Sequence, residues 1–296
     1  MTDPKTDPDH EPIVTETADP PVLDEGPVLS KSQGFRRWVL RLTLALAIIS
    51  PLIFILAGLG SRFGLWSWQF GLGTLTREIG PLALIVTLVL GLISLLLAFL
   101  IKPRKGVIVG LAAILVPVLA FAQLKATQAK VAKLPLIHDI TTDTQNPPTF
   151  GAVIMAERNA LEGVNTLDYA GKRAPTSQTD ANGDRVTKLV SALQTQAYPE
   201  IRTLVLSEAP EIVFGRAEQV ARDLGWAIKE SDAPSGRIDA TDTTFWYGFK
   251  DDVTIRIREA DGGGTRLDIR STSRVGLSDI GANAARIGAF LDRLGE

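Results

Sequence analysis

Three long apolar segments in the first half of the chain limit what it can fold into. They span Leu42–Leu59, Pro81–Ile101 and Gly106–Leu124, and none of them contains a charged residue. Each is close to the roughly 20 residues that an α-helix needs to cross the hydrocarbon core of a bilayer. Buried helices of this length in water-soluble proteins carry some polar positions. We therefore predict three membrane-spanning helices within residues 36–125.

The cations that flank these segments predict an orientation. Three arginines precede the first segment, and three cations fill the loop between the second and the third: Arg36, Arg37, Arg41, Lys102, Arg104 and Lys105. Cations in short loops are retained on the cytoplasmic side, so the N-terminus is predicted to be cytoplasmic. Three crossings then place the C-terminal domain outside the cytoplasm, in a multi-pass protein of the cytoplasmic (inner) membrane. Lys125, Lys130 and Lys133 count against this orientation.

Residues 1–35 are acidic and rich in proline, which is typical of a disordered tail.

Composition excludes several classes of function. A net charge of -2 gives no basic field for nucleic acid. Cysteine is absent, which excludes disulfides and thiolate chemistry. Because no ionisable residue lies inside the three apolar segments, an ion pathway through them is not expected.

The pattern after residue 133 is that of an α+β domain. A short strand over Arg202–Leu206 precedes an amphipathic helix that Ser207 can cap, with Pro210 and Glu211 in its first turn, and that stops at Gly225. Two successive β-hairpins then occupy Trp226–Ser273, and a last helix runs from Ser278 to Leu294 with Ile280 on its apolar face. Residues 134–296 are therefore predicted to be an extracytoplasmic domain, in which an antiparallel sheet of two hairpins and a short strand has helices packed on one face.

Two stretches before this sheet have weaker signals. Residues 151–183 show little periodicity and are predicted to be an irregular surface segment. Val186, Leu189, Val190 and Leu193 recur at helical spacing, which predicts a helix that ends near Tyr198.

Alternation along the second hairpin fixes its register. Val253, Ile255 and Ile257 share one face, because side chains alternate along a strand. Both apolar faces must reach one core, and the favoured register sets Ile255 opposite Ile269 and Arg256 opposite Asp268.

The other face of the sheet is predicted to be outward and highly charged. It carries Arg237, Asp239, Thr241, Arg256, Arg258, Arg266, Asp268 and Arg270. One interpretation is a ladder of cross-strand ion pairs, each contributing about 0.2–1 kcal/mol. The other is an anion-binding face, since guanidinium groups match phosphates and carboxylates. The like-charge neighbours Arg258 and Arg266 favour the second interpretation.

The link between the hairpins, Thr241–Asp252, is rich in aromatic residues. Phe245, Trp246, Tyr247 and Phe249 are too many for a solvated loop. They are predicted to close the end of the core, with a lipid- or ligand-facing lip as the alternative.

Four motifs resemble a known family. Thr241–Asp252, Arg270–Gly276 and Ser278–Asn283, together with His138–Asp143 followed by two prolines, resemble the domain-of-unknown-function family numbered 1499. The resemblance covers about Leu134 to Leu294. It implies an envelope setting, because similar members carry membrane spans or a lipoprotein signal, and it implies no chemistry.

Two sets of candidate residues follow. The binding set is Arg256, Arg258, Asp268, Arg270, Arg274, Asp242 and Trp246. The set expected to form a structural polar network is His138, Asp139, Asp143, Asp251, Asp252, Asp279 and Asn283. No catalytic residue, metal or cofactor is predicted.

The sequence is compatible with two functions. The first is a non-catalytic membrane-anchored module that binds an envelope protein or lipid through its α+β domain. The alternative is a metal-dependent hydrolase that uses His138, Asp139 and Asp143. On an extended strand His138 and Asp139 point to opposite faces, which weakens the alternative. No nucleophile-elbow or phosphate-loop sequence occurs.

Overall fold

The structure, a computed structural model, describes residues 30–295. Most of the predicted acidic tail lies outside the described residues. The first helix begins at Lys31, inside the stretch predicted to be tail. The reason is local: Ser30 and Gln33 form a capping box, in which each side chain bonds the other residue's backbone amide.

Three helices are long and apolar enough to cross a bilayer. They are α1 (Lys31–Arg62), α2 (Gly80–Leu100), which continues from a π-helix (Gln69–Ile79), and α3 (Val107–Val131). Small residues let α2 and α3 approach closely, since a Cβ added at Gly91 would lie 3.0 Å from the Ala113 backbone. The Arg36 guanidinium donates to the carbonyls of Ile101 and Pro103. The two predicted cation clusters therefore lie at the same end of this bundle.

The remainder forms the α+β domain that was predicted. Its elements in chain order are β1 (Asp139–Thr141), α4 (Ala152–Asn159), β2 (Arg173–Thr179), β3 (Arg185–Leu189), α5 (Val190–Ala197), β4 (Leu204–Leu206), α6 (Pro210–Asp223), β5 (Ala227–Asp232), β6 (Arg237–Thr243), β7 (Lys250–Glu259), β8 (Thr265–Ser273) and α7 (Ala282–Gly295).

The main sheet is antiparallel, with the strand order β1-β8-β7-β6-β5 and with β4 also paired to β8. The predicted register is confirmed, because Ile255 pairs with Ile269 and Arg256 with Asp268. A separate hairpin, β2–β3, stands outside this sheet.

One face of the sheet is apolar and packs under α6 and α7. Val253, Ile255, Leu267 and Ile269 on this face are fully buried. Burying one such side chain contributes about 1.5–3 kcal/mol. Trp226 stacks on Phe290 of α7 with ring centroids 5.5 Å apart, so the last helix closes the core over the first hairpin.

The segment predicted to be irregular is ordered and has a role. It contains α4 and β2, and residues 142–169 cover the polar face of the sheet, which was predicted to be outward. The polar contacts that hold this segment come from distant strands and leave no period in its own sequence. That is why its structure could not be predicted locally.

Two predicted element boundaries and one predicted helix cap were also wrong. Residues 185–189 form β3 and not the start of a helix, because β2 supplies a pairing partner across the turn. Helix α6 begins at Pro210 without a side-chain cap from Ser207. Helix α7 begins at Ala282, and Ile280 precedes it with a φ of 57° and an exposed side chain.

Candidate functional site

The polar face of the sheet is buried and ion-paired. At its centre Asp252, which is fully buried, accepts hydrogen bonds from Arg158 (2.7 Å) and from Arg274 (2.7 and 2.9 Å). Glu157 on α4 takes a further bond from Arg274 at 2.7 Å, and this pairing helps to hold the pKa of Glu157 below its usual value, after the larger effect of Lys229. The group thus joins three cations, Arg158, Arg274 and Lys229, to two carboxylates.

Arg270 is equally enclosed. Its guanidinium grips both carboxylate oxygens of Asp139, at 2.9 and 2.7 Å. It also donates to the Leu167 carbonyl at 2.6 Å and lies over the rings of Phe150 and Tyr169. A guanidinium that is enclosed in this way and only 4% exposed is not accessible to an external anion. Arg270 and Arg274 of the predicted binding set therefore lie in the interior of the domain.

The rim of this face carries three arginines around two carboxylates. Asp268, fully buried, accepts from Arg256 (2.9 Å), Arg266 (3.3 Å) and Arg258 (3.4 Å). Asp143 accepts from Arg266 at 2.9 Å and from Arg256 at 3.3 Å. Burial by itself would raise the pKa of Asp268, but hydrogen bonds from Thr203 and Arg256 bring the pKa below its usual value.

This arrangement accounts for the like-charge neighbours noted in the sequence. Arg258 and Arg266 are paired across β7 and β8, and Asp268 contacts both of them. Their side chains are about two-fifths exposed, at 43% and 40%. Arg258 and Arg266 are therefore the most exposed arginines of the predicted charged face. The rim, with three arginines and two carboxylates, has one positive charge in excess.

A second polar cluster lies at the end of the helix face. Asp242 and Asp251 are cross-strand neighbours, and Arg286 of α7 bridges them at 2.8 and 2.6 Å. Asn283 binds the Ser271 hydroxyl and the His138 carbonyl. Asp279 accepts from the Gly281 and Asn283 amides, and its burial raises its pKa. These contacts fasten α7 and β1 to the sheet.

His138 lies in a different environment from the two carboxylates proposed to join it. Its Nε2 is 3.2 Å from Lys172 Nζ, while Asp139 is bound by Arg270 and Asp143 by two other arginines. Burial, and next the charge of Lys172, lower the pKa of His138 to about 4. Among residues 30–295 no group of three or more His, Asp or Glu side chains is placed to hold a metal ion.

The aromatic link, Thr244–Phe249, is seated on the membrane-helix bundle. The Tyr247 amide donates to the Gly58 carbonyl at 3.2 Å, and its hydroxyl is 2.6 Å from Thr76 Oγ1. The Trp246 ring lies directly against Gly58, so that an added Cβ would be 2.6 Å from a ring carbon. Phe249 meets Trp68 edge-on at 5.6 Å.

Two side chains of the aromatic link face outward at this level. Phe245 is 67% exposed and Trp246 is 47% exposed. Trp246 lies against Gly58 near the end of α1 and Phe245 packs on Trp246. Phe63 and Leu65, which directly follow α1, are also exposed. Aromatic residues at the end of a spanning helix occupy the headgroup layer of a bilayer.

Comparison with known protein families identifies the family of the α+β domain. A family model described as "Protein of unknown function (DUF1499)" matches residues 139–294, more than half of the chain. The chain belongs to the DUF1499 family. A comparison with curated proteins finds no match.

The DUF1499 match begins at β1 and ends in α7. It therefore coincides with the main sheet and its covering helices and excludes α1, α2 and α3. This boundary lies after the change from apolar to polar sequence that follows Leu124 and close to the predicted start of the domain at residue 134.

Several residues of the DUF1499 domain that build these clusters were missed by sequence reasoning. They are Glu157, Arg158, Tyr169, Lys172 and Arg286. The first four lie in the segment without periodicity, where no signal marked them. Arg286 could have been found, because it lies four residues before the buried Phe290 and so shares a face of α7 with it.

Proposed function

We propose that the protein is a non-catalytic envelope module that is anchored in the cytoplasmic membrane by three spans. It holds its α+β domain on the outer surface of that membrane and binds an envelope lipid or protein there. The observation that carries this proposal is the seating of the aromatic link on the outer end of α1, with Phe245 and Trp246 left exposed beside the bundle.

The distribution of charge supports this orientation. The cations of the N-terminal flank and of the loop between α2 and α3 lie at the end of the bundle opposite the α+β domain. The positive-inside rule places that end in the cytoplasm. Lys125 and Lys130 lie on the part of α3 that extends beyond the apolar run, on the side of the domain.

The state of the polar side chains supports a role without chemistry. A general base or a metal ligand needs a lone pair that is free to react. Both oxygens of Asp139 accept from Arg270, and Asp143 is shared by Arg256 and Arg266. No observation favours the hydrolase alternative, and stoichiometric metal that is lost in His138→Ala would reverse that preference.

Photocrosslinking from Phe245 tests the binding role. A benzophenone amino acid at Phe245 should form adducts with lipid or with an envelope protein in intact membranes. The matched position is Ile212, which is 61% exposed in the first turn of α6. Its neighbours Pro210 and Glu211 line a surface depression with the turn between β5 and β6, at the other end of β6 from the aromatic link. Adducts no more frequent at Phe245 than at Ile212 would contradict the proposal.

Single cysteines test the orientation, because the chain has none of its own. Asn182→Cys, in the exposed turn between β2 and β3, should react with a membrane-impermeant maleimide on intact cells or spheroplasts. Lys105→Cys, in the loop between α2 and α3, should react only after the membrane is permeabilised. The reverse pattern would put the domain in the cytoplasm and end the envelope assignment.

A further inference from the structure

A cleft opens beside the end of α3 that emerges toward the domain. Its volume is about 630 Å³, and its walls are the segment 131–136 that follows α3, the β2–β3 hairpin and α5. A smaller cavity of about 100 Å³ adjoins it, since Leu136 and Pro175 line both. We refer to the two together as the α3 trench. Its larger part has a volume typical of small-ligand sites, about 300–1,000 Å³.

The α3 trench is lined by cations that lack acidic partners. Lys133, Arg185 and Lys188 line the larger part, which contains no aspartate or glutamate. None of these three forms an ion pair with another residue of the described chain. Lys172 and Arg173 line the smaller part, where the one carboxylate, Asp139, is already bound by Arg270.

This local charge departs from the rest of the protein. The whole chain has 33 acidic and 31 basic residues, so a lining with five cations and one engaged carboxylate is a local excess of positive charge. Such an excess in a cleft attracts an anion.

The α3 trench also has apolar walls. Leu134, Leu136 and Leu193 line it, and Leu277, which is 79% exposed, stands beside the smaller part. A ligand that satisfies both the cations and these leucines must be anionic at one end and apolar at the other.

His138 supplies an unused donor at the inner end. It is 8% exposed, and its Nδ1 has no hydrogen-bond partner among the described residues. Because the Lys172 ammonium can donate only to an unprotonated Nε2, the neutral imidazole carries its proton on Nδ1. A buried N–H without an acceptor is costly, and an anionic oxygen in the smaller cavity would satisfy it.

The position of the α3 trench relative to the bilayer indicates the source of the ligand. Its lining begins at Val131, seven residues beyond the apolar run, which is about 10 Å along the helix axis. The headgroup layer is about 5–8 Å thick on each side of a bilayer. The opening therefore lies at the outer edge of the headgroups.

We propose that the α3 trench binds an anionic phospholipid. The phosphate is held by Lys133, Arg185 and Lys188, and the apolar part of the lipid lies along Leu134 and Leu136 toward the bilayer. This assignment rests on the proposed function, since it requires the domain to lie at the membrane surface, and it names the lipid class that the domain recognises.

Native mass spectrometry of the full-length protein tests the site. The protein is released from nanodiscs that contain equal amounts of phosphatidylglycerol and phosphatidylcholine. We expect the unmodified protein to retain phosphatidylglycerol, and the double variant Arg185→Gln/Lys188→Gln to retain at least about tenfold less. Both side chains are exposed, so the variant is expected to fold.

The matched control removes two exposed cations elsewhere, in Arg222→Gln/Arg293→Gln, and should retain phosphatidylglycerol at the unmodified level. Equal retention by the two double variants would overturn the proposal. Displacement of the lipid by millimolar inorganic phosphate would also overturn it and would assign the site to a free phosphate. Because the crosslinking at Phe245 and the cysteine labelling do not involve the α3 trench, failure of the lipid site can be told apart from failure of the proposed function.

Discussion

At the scale of single residues, the buried arginines and aspartates act as one interior framework. Asp252 shows this best, because it is fully buried and is shared by Arg158 and Arg274, which come from α4 and from the chain just after β8. Charges in a low-dielectric interior are tolerated only when paired. The framework therefore holds residues 142–169 on the sheet. The attachment of that segment depends on each buried arginine and aspartate of the framework.

Asp252→Asn should destabilise the domain severely. It keeps the shape of the side chain but leaves the buried Arg158 without its counter-charge and Arg274 with Glu157 alone. Breaking such a buried pair costs about 3–5 kcal/mol. Chemical unfolding of the full-length protein in detergent, followed by pulse proteolysis, measures this loss.

Arg258→Gln is the comparison for Asp252→Asn, because Arg258 is half-exposed and its contact with Asp268 is long, at 3.4 Å. Exposed ion pairs contribute about 0–1 kcal/mol. Similar losses in the two variants would show that the interior pairs are no more important than the rim.

His138 should make the domain sensitive to mild acid. Burial and the Lys172 charge lower its folded pKa to about 4, below the ordinary value of about 6.5. As the pH falls through this interval the unfolded chain takes up a proton that the folded chain does not. Stability is thus retained above about pH 6.5 and declines by about 3 kcal/mol on approach to pH 4.

His138→Gln isolates this effect, because glutamine does not titrate and can still accept from Lys172. The variant should lose less stability than the unmodified protein between neutral pH and about pH 4. Parallel pH profiles of the free energy of unfolding would show that His138 titrates normally in the folded protein.

At the scale of elements, the aromatic link joins the domain to the bundle. It was identified in the sequence as unusually rich in aromatic residues, and two uses were left open for it. The structure seats Tyr247 and Phe249 against the bundle and leaves Phe245 exposed. What the sequence lacked was the partner, since Gly58 in α1 carries no mark of the ring that lies on it.

Gly58→Ala should loosen this joint. The added Cβ would lie 2.6 Å from the Trp246 ring, so the ring must shift, and the bond from the Tyr247 amide to the Gly58 carbonyl weakens with it. Hydrogen exchange at Tyr247 in the full-length protein should become faster. Gly73→Ala is the control, because nothing lies within 4 Å of a Cβ at Gly73, and it should leave that exchange rate unchanged.

Strand register was the element property that could be predicted best. Alternation of Val253, Ile255 and Ile257 with charged residues leaves one parity when both hairpin faces must reach a single core. Helix α4 was missed for the opposite reason. Its buried side chains, Ile154 and Arg158, are too few for a helical period, and one of them is charged.

At the scale of the whole molecule, the α+β domain has a core of its own. The buried hydrophobic cluster runs from Ile137 to Leu294 and includes no residue of α1, α2 or α3. A domain with a closed core can fold without its anchor. The bundle therefore positions the domain and does not complete it.

A fragment of residues 134–296 should fold and bind lipid vesicles. In this fragment Trp246 loses its contact with Gly58, and Phe245 and Trp246 together offer apolar surface to a bilayer. Co-sedimentation with vesicles should be lost in Phe245→Ser/Trp246→Ser, whereas Ile212→Ser, at the other end of β6, should still sediment. A fragment that stays in solution whatever the vesicle composition would contradict a membrane-facing role for the aromatic link.

The sequence by itself determined the two-part plan, the three apolar helices, the family and the pairing of β7 with β8. Each of these depends on local pattern: length without charge, alternation along a strand, or a motif. Only the tertiary structure decided that the charged face of the sheet is interior, that α4 covers it and that Trp246 lies on Gly58. These depend on contacts between residues far apart in the chain. A charged side chain looks the same in the sequence whether it faces water or is desolvated against a partner that only folding brings to it.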